Sequence, residues 1–261
     1  MKTYITILLL VGAIGCTQSQ PTDATSGKLT FEEAYARRVH EETALHIAAR
    51  LGERDRIKRL LDEGADVEAR TDYGATPLVF ATIFATDMQT FEFLISKGAD
   101  IRTQENDKST LLHTAAAHGK LDIAKFLLTQ KLDVNAKTEY ESTPLHAAVA
   151  NARTDLARLL LTDGAEVNPK DTLGATPLHH GVELACVHFS MHGSSYLDVL
   201  DLVLSKGADV NAKTTKDAPM TSGIPSQIKA GDTPLSIALR YAHGDRNKDV
   251  VALLKKYGAT E

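Results

Sequence analysis

Short apolar stripes alternate with polar turns along most of the chain, at a nearly constant interval. In the first such stretch a Thr precedes Leu and Ala residues at helical spacing, and a second apolar stripe contains Ile57, Leu60 and Leu61. Gly64 and an Ala-Asp-Val turn follow. The pattern predicts two short antiparallel helices, a glycine that can adopt positive φ, and an extended hairpin into the next stretch. One helix pair cannot bury its apolar face alone, so neighbouring pairs are expected to stack into a continuous core.

The stretch recurs with starts 33, 34, 33, 33 and 57 residues apart. The six starts are Thr43, Thr76, Thr110, Thr143, Thr176 and Thr233. A Thr-Pro-Leu-His-x-Ala motif at a period of 33 residues resembles the ankyrin repeat. The resemblance implies an all-α ankyrin-repeat solenoid of six helix-turn-helix units with β-hairpin fingers over residues 43–261. It also implies a chain that binds another protein without catalytic residues or a cofactor, and we expect a monomer.

The residues ahead of the first repeat predict two further segments. Thr30 and Glu33 are spaced as a capping box, which predicts an N-terminal capping helix over residues 29–42. Residues 16–28 are polar and rich in Ser and Thr, which is typical of a flexible tether.

Residues 1–15 have the pattern of a signal peptide. Lys2 precedes an apolar run from Tyr4 to Gly15, which is too short to span a bilayer comfortably. The run ends in Ala-Ile-Gly-Cys, which resembles a bacterial lipobox, although Leu is usual where Ala13 stands. The resemblance implies that Cys16 becomes a lipid anchor on the cell envelope, facing the periplasm or the outside. Ordinary secretion with cleavage at the same bond is the alternative.

Composition excludes several classes of function. The chain is 43% hydrophobic, has no Trp, and carries a net charge of −5 with mixed signs, so it offers no basic stripe for nucleic acid. It contains no glycine-rich phosphate loop, G-x-S-x-G, H-E-x-x-H or C-x-x-C motif, so no catalytic residue is assigned. Lipidation of Cys16 would leave Cys186 without an intrachain disulfide partner.

Four histidines and one cysteine between His179 and His192 suggest a metal site. The repeat register accounts for His179, because His46, His113 and His146 occupy the same position and the resemblance implies structural hydrogen bonds there. Cys186 and His188 are two residues apart, hence about 160° apart on a helix. Only His188 and His192 share a face, which is an incomplete site, so we predict no metal. A longer first helix would instead bury the stripe Leu178, Val182, Ala185 and Phe189.

Insertions distinguish the last two repeats. About ten residues are added over 181–196, and the finger over 214–230 is about fourteen residues longer than the others, by comparison with ordinary repeats. Insertions in repeat proteins map to surface loops, often on the binding face.

The resemblance places partner contacts at the finger tips and at the outer ends of the first helices. These positions hold apolar or aromatic residues: Tyr73, Ile83, Phe84, Tyr140, Leu173, Leu184 and Tyr241. We expect a groove from Tyr73 through Phe84 to Tyr140 to anchor the partner. Exposed carboxylates of Asp72, Asp107 and Glu139 would form an acidic rim that favours a basic partner. Alternatively, Ile83 and Phe84 pack beneath the one-residue insertion of the second repeat.

Three functions are consistent with these patterns. The first is a non-enzymatic protein–protein interaction scaffold in the bacterial cell envelope. The second is an immunity protein that neutralises a secreted toxin. The third is a metal or small-ligand binding module that uses the insertion of the fifth repeat.

Overall fold

The computed structural model describes residues 42–84, 88–187, 189–218, 228–241 and 247–260, with the backbone alone over 189–195. The predicted signal peptide, the anchor Cys16, the tether and the capping helix up to residue 41 lie outside the described residues. The same holds for His188, for the side chains of Phe189 and His192, and for residues 219–227 of the long finger.

Each of the six repeats forms a pair of helices. In the described ranges these are α1 Ala44–Leu51 with α2 Arg54–Asp62, α3 Pro77–Phe84 with α4 Met88–Ser96, α5 Leu111–His118 with α6 Leu121–Thr129, α7 Pro144–Ala150 with α8 Thr154–Thr162, α9 Pro177–Val187 with α10 Phe189–Ser205, and α11 Pro234–Arg240 with α12 Lys248–Lys256. The prediction of six helix-turn-helix units is therefore confirmed.

Local chemistry sets where the helices begin and end. Thr143 has an extended backbone ahead of α7 and forms a capping box with the third helical residue, while Pro144 opens the helix without losing a hydrogen bond. Gly64 and Gly164 follow the second helices at a φ of 93°, as predicted for stop glycines. In the third repeat Lys131 takes this position at a φ of 58°. A residue with a Cβ adopts this left-handed conformation at a higher cost than glycine does.

The fingers differ from the predicted β-hairpins. In the second repeat the Thr71 N–H donates to the Ala75 carbonyl at 3.0 Å, and the Gly74 N–H returns to the Thr71 carbonyl at 2.8 Å. Such a turn is too short to extend into a ladder of paired strands. Within the described ranges the β pairing is an isolated bridge between Gln104 and Thr110.

The described residues form two compact units that divide between Ile101 and Arg102, called here the N-terminal and the C-terminal unit. In the N-terminal unit α1 packs against α3, and the core contains Leu45, Leu78 and Phe91, each at most 1% exposed. In the C-terminal unit the first helices of successive repeats pack in order, from α5 with α7 to α11 beside α9.

The insertion of the fifth repeat lengthens both of its helices. The first, α9, has 11 residues and the second, α10, has 17, against 7 and 9 in the fourth repeat. Leu178, Val182 and Ala185 are at most 1% exposed, as the predicted stripe requires. Phe189 starts α10 instead of continuing α9. Among helices in the described ranges, none has the length and apolar character needed to cross a membrane.

The base of the long finger packs on the preceding finger. The Thr215 N–H donates to the Leu173 carbonyl at 2.7 Å, and the Ala218 N–H donates to the Ile228 carbonyl at 2.8 Å. A Cβ on Gly174 would lie 2.9 Å from the Thr215 backbone nitrogen, so this position accepts only glycine.

Candidate protein-binding surface

The repeated histidines hold neighbouring repeats together. In the first repeat the Thr43 N–H donates to His46 Nδ1 at 3.2 Å, so Nδ1 is unprotonated and Nε2 donates to the Ala75 carbonyl at 3.0 Å. The equivalent Nε2 atoms lie 3.1–3.3 Å from the carbonyls of later fingers, at Ser142, Ala175 and Ala212.

Burial keeps these imidazoles neutral. It lowers the pKa of His113 to about 4, of His146 to about 3 and of His179 to about 4. A proton on Nδ1 would also remove the acceptor that the Thr N–H uses. The structural interpretation of the four histidines is confirmed, and none of them is presented to a ligand.

The first helices of the N-terminal unit carry an apolar surface. It consists of the apolar side chains at the fifth, eighth and ninth positions of the first two repeats, and is called here the apolar first-helix surface; the eighth position of the first repeat is Arg50 and is not a member. Its members are Ile47, Leu51, Phe80, Ile83 and Phe84.

Two members of this surface are unusually exposed for their type. Leu51 is 59% exposed and Phe84 is 41% exposed, while the remaining three are half-buried. The Phe80 ring lies 6.1 Å from the Phe84 ring and 5.0 Å from the His46 ring. Phe84 is therefore held by its neighbours on one side and accessible on the other.

The predicted finger residues of the N-terminal unit are accessible as well. Tyr73 is 39% exposed at the tip of its turn, and Asp72 beside it is exposed. The turn is fixed by the Thr71–Ala75 and Gly74–Thr71 hydrogen bonds, so both side chains project from an ordered backbone.

The predicted contact residues of the C-terminal unit are more enclosed. Tyr140, Leu173, Leu184 and Tyr241 are half-buried, whereas Glu139 is exposed. Leu173 is half-buried because the base of the long finger packs against it. The Tyr241 hydroxyl donates to Glu183 Oε1 at 3.4 Å.

The expectation for Asp107 is wrong. Its side chain is only 5% exposed, because Oδ1 accepts from the Ser109 N–H at 2.9 Å within the turn. Asp107 also stands at the register of Tyr73 and Tyr140, three residues before the repeat Thr, so it does not continue the positions of Asp72 and Glu139. The acidic rim is thus reduced to Asp72 in one unit and Glu139 in the other.

A charged network in the C-terminal unit was not predicted from the sequence. His180 Nε2 lies 2.7 Å from Asp171 Oδ2, and the His180 ring is 5.7 Å from that of His146. Although burial opposes it, the Asp171 carboxylate raises the pKa of His180. Arg240 donates two hydrogen bonds to Asp232, at 2.6 and 2.5 Å. Comparing registers could have found the first pair, since Glu105 and Thr114 hold the same two positions in the third repeat.

The C-terminal unit thus differs in chemistry from the N-terminal one. Burial, together with the Asp107 carboxylate, raises the pKa of Glu105 to about 7, and only the Thr114 hydroxyl, at 3.4 Å, is its hydrogen-bond donor among the described contacts. Paired charges and small side chains line the first helices here, where the N-terminal unit has large apolar groups.

The cysteine of the fifth repeat is poorly suited to metal binding. Burial and the nearby Glu183 carboxylate raise the pKa of the Cys186 thiol to about 12, so its thiolate, the form that binds metals, is scarce at neutral pH. In the portion of the chain that the structure describes, no three His, Cys, Asp or Glu side chains are grouped to hold an ion. His188 and the His192 side chain lie outside that portion.

Comparison with known families and structures agrees with this architecture. The family described as "Ankyrin repeats (3 copies)" matches residues 24–105, 83–171 and 112–214. The crystal structure of the human ASB11 ankyrin repeat domain superposes with a TM-score of 0.63, covering 84% of this chain and 85% of that one. At 22% identity this likeness concerns the fold alone.

Similar sequences occur within much longer animal proteins. A Caenorhabditis elegans homologue of transient receptor potential cation channel subfamily A member 1 is 43% identical over 83 residues, which are 32% of this chain and 7% of the relative. The mouse B-cell lymphoma 3 protein homologue is 31% identical over 111 residues, 42% of this chain and 24% of the relative. The chain therefore spans less than a quarter of the length of these relatives.

Proposed function

The chain belongs to the ankyrin repeat family, and from this premise we propose that it is a non-enzymatic scaffold that holds another protein in a bacterial cell envelope. Ankyrin repeats are protein–protein interaction modules. The pattern of residues 1–16 supports the location, with a short apolar run followed by Cys16 as the anchor.

The exposure of Leu51 and Phe84 on the apolar first-helix surface is the observation that carries the binding proposal. Large apolar side chains at the edge of a packed helix layer lose water contact when a partner covers them, at roughly 25 cal/mol per Å². Phe84 is also held in place by Phe80, so little side-chain freedom is lost on binding. An apolar anchor of the partner would rest here.

The fingers would supply orientation. Tyr73 presents an aromatic ring with a polar end, and Asp72 places a carboxylate beside it. Tyr140 and Glu139 repeat the arrangement on the C-terminal unit. Carboxylates on these fingers favour a partner that carries basic residues.

The test is affinity capture from envelope extract with the full chain, followed by binding measurements on the captured partner. Single replacements Tyr73→Ala, Phe84→Ala and Tyr140→Ala are each expected to weaken binding about tenfold, or about 1.4 kcal/mol, with an unchanged melting temperature. Phe126→Ala, a half-buried aromatic on a second helix, is the matched control and should leave binding unchanged.

Lower melting temperatures with intact binding would show that the three residues serve packing, and the surface assignment would be abandoned. The location is tested in cells that express the full chain. The wild-type chain should fractionate with membranes and incorporate labelled palmitate, while Cys16→Ser should do neither. An unlabelled, soluble wild-type chain would contradict the anchor.

A further inference from the structure

A groove of about 850 Å³ lies between the second helices of the first two repeats, within the N-terminal unit. Helix α2 contributes Arg54, Arg56, Lys58 and Arg59 to its lining, and α4 contributes Phe93. The groove is open to solvent along the protein surface. The apolar first-helix surface contributes none of these residues.

The groove is positively charged in a chain whose net charge is −5. Glu53 and Asp55 also line it, so four cations face two carboxylates, an excess of two positive charges. Glu53 is already engaged by Arg56, at 2.9 Å. Arg54, Lys58 and Arg59 are exposed and form no ion pair with the residues that the structure describes.

Helix stability explains Arg59, which lies in the last turn of α2, but it does not explain Arg54. Arg54 is the first residue of α2 and Arg56 lies in its first turn, at the end where the helix dipole favours carboxylates. Arg54 and Lys58 are also one turn apart on the same face, so their like charges repel. Asp55 in the same turn suits the dipole, whereas a positive charge at Arg54 opposes it.

An aromatic ring completes the groove. Phe93 is half-buried, and Lys97 Nζ lies 5.4 Å from the centroid of its ring. The ring face offers an apolar contact that is flanked by positive charge, a combination suited to a peptide with an apolar residue among acidic ones.

We propose that this groove binds an acidic segment of a partner protein, with its carboxylates at Arg54, Lys58 and Arg59 and an apolar side chain against Phe93. Charge complementarity to the groove selects the segment, and the three cations have no competing partner to lose among the described residues. The site lies on different helices from the scaffold surface proposed above and is independent of it.

The test uses the full chain and a fluorescent peptide in which glutamates flank a central Leu-Phe pair. Combined Arg54→Ala, Lys58→Ala and Arg59→Ala should weaken binding at least about tenfold, and Phe93→Ala should weaken it with the charges intact. The matched control removes as much charge from exposed positions of the C-terminal unit, by Lys125→Ala, Lys170→Ala and Lys206→Ala.

Arg54→Glu separates binding from folding. This variant should bind the peptide more weakly. Its melting temperature should be unchanged or higher, because a carboxylate suits the first turn of α2. Phe84→Ala should leave peptide binding unchanged, which distinguishes a failure here from a failure of the scaffold proposal.

Three results would overturn the assignment. The first is that the peptide does not bind measurably. The second is that the C-terminal control variant loses as much peptide binding as the groove variant. The third is that the chain binds phosphatidylglycerol vesicles in preference to the peptide. A matched peptide with lysines in place of the glutamates should not bind. Added salt should weaken the binding of the glutamate peptide, because salt screens exposed charges.

Discussion

Single polar atoms decide how well each repeat is capped. Thr143 Oγ1 lies 3.0 Å from His146 Nδ1, and its repeat follows the full Thr-Pro-Leu-His motif. In the second repeat Val79 replaces the histidine, and Thr76 Oγ1 is buried with no hydrogen-bond partner among the residues that the structure describes. A hydroxyl buried in this way costs free energy that the equivalent threonines recover.

Replacing the two threonines by valine should therefore give opposite results. Thr143→Val removes a cap and a contact of His146, and should lower the free energy of unfolding by about 1 kcal/mol. Thr76→Val exchanges an unsatisfied hydroxyl for a methyl group of similar size, and should leave stability unchanged or slightly higher. Urea denaturation of both variants measures the difference. Equal losses would show that the Thr76 hydroxyl is satisfied in solution.

The sequence predicts residue roles well where the repeat register defines them. The histidines were assigned correctly because the same position recurs with the same threonine partner. Asp107 was misassigned because its acidic type was given more weight than its register. Leu51 is absent from the predicted contact residues, and it follows the polar Arg50 at the end of α1.

Among the helices, the fifth repeat shows how sequence pattern and packing differ in what they determine. Apolar spacing predicted a longer α9, and the helix indeed extends to Val187. The pattern contains no information on where the chain starts a second helix at Phe189, because that depends on packing against α8 and α12. The prediction of β-hairpins in the fingers differs from the structure for a similar reason. Turn residues indicate that the chain reverses, but not how many residues pair in the β-ladder on either side.

The close approach of α9 to α7 and α10 depends on Gly181. A Cβ at this position would lie 2.7 Å from Val149 Cγ1 and 2.9 Å from Leu200 Cδ2, and both neighbours are fully buried. Gly181→Ala should lower the free energy of unfolding by about 1–3 kcal/mol, despite the better helix propensity of alanine.

The double variant Gly181→Ala with Val149→Ala tests this packing. Removing the Val149 methyls makes room for the new Cβ, so the two losses should be less than additive in thermal unfolding. Strict additivity would mean that the helices shift apart without strain, and the close approach would not be required.

The solenoid as a whole is expected to be sensitive to acid, because its structural histidines must stay neutral. The pKa values of His113, His146 and His179 fall from 6.5 to about 4, 3 and 4 in the folded chain. Between pH 6.5 and about 4 the unfolded chain therefore binds protons on these groups that the folded chain does not, so stability decreases as the pH falls.

Glu105 acts in the opposite direction. Its pKa rises from 4.5 to about 7 on folding, so in the same range the folded chain holds one proton more than the unfolded chain. Glu105 therefore offsets part of the stability that the three neutral histidines lose as the pH falls. Urea denaturation at a series of pH values measures the resulting slope of stability against pH. Glu105→Gln should steepen it by about one proton, and His146→Gln should reduce it by about one, at some cost in stability at neutral pH. A wild-type stability that stays flat or increases as the pH falls from about 6.5 to about 5 would show that the histidines become protonated without disturbing the fold, and the role assigned to their neutral form would be wrong.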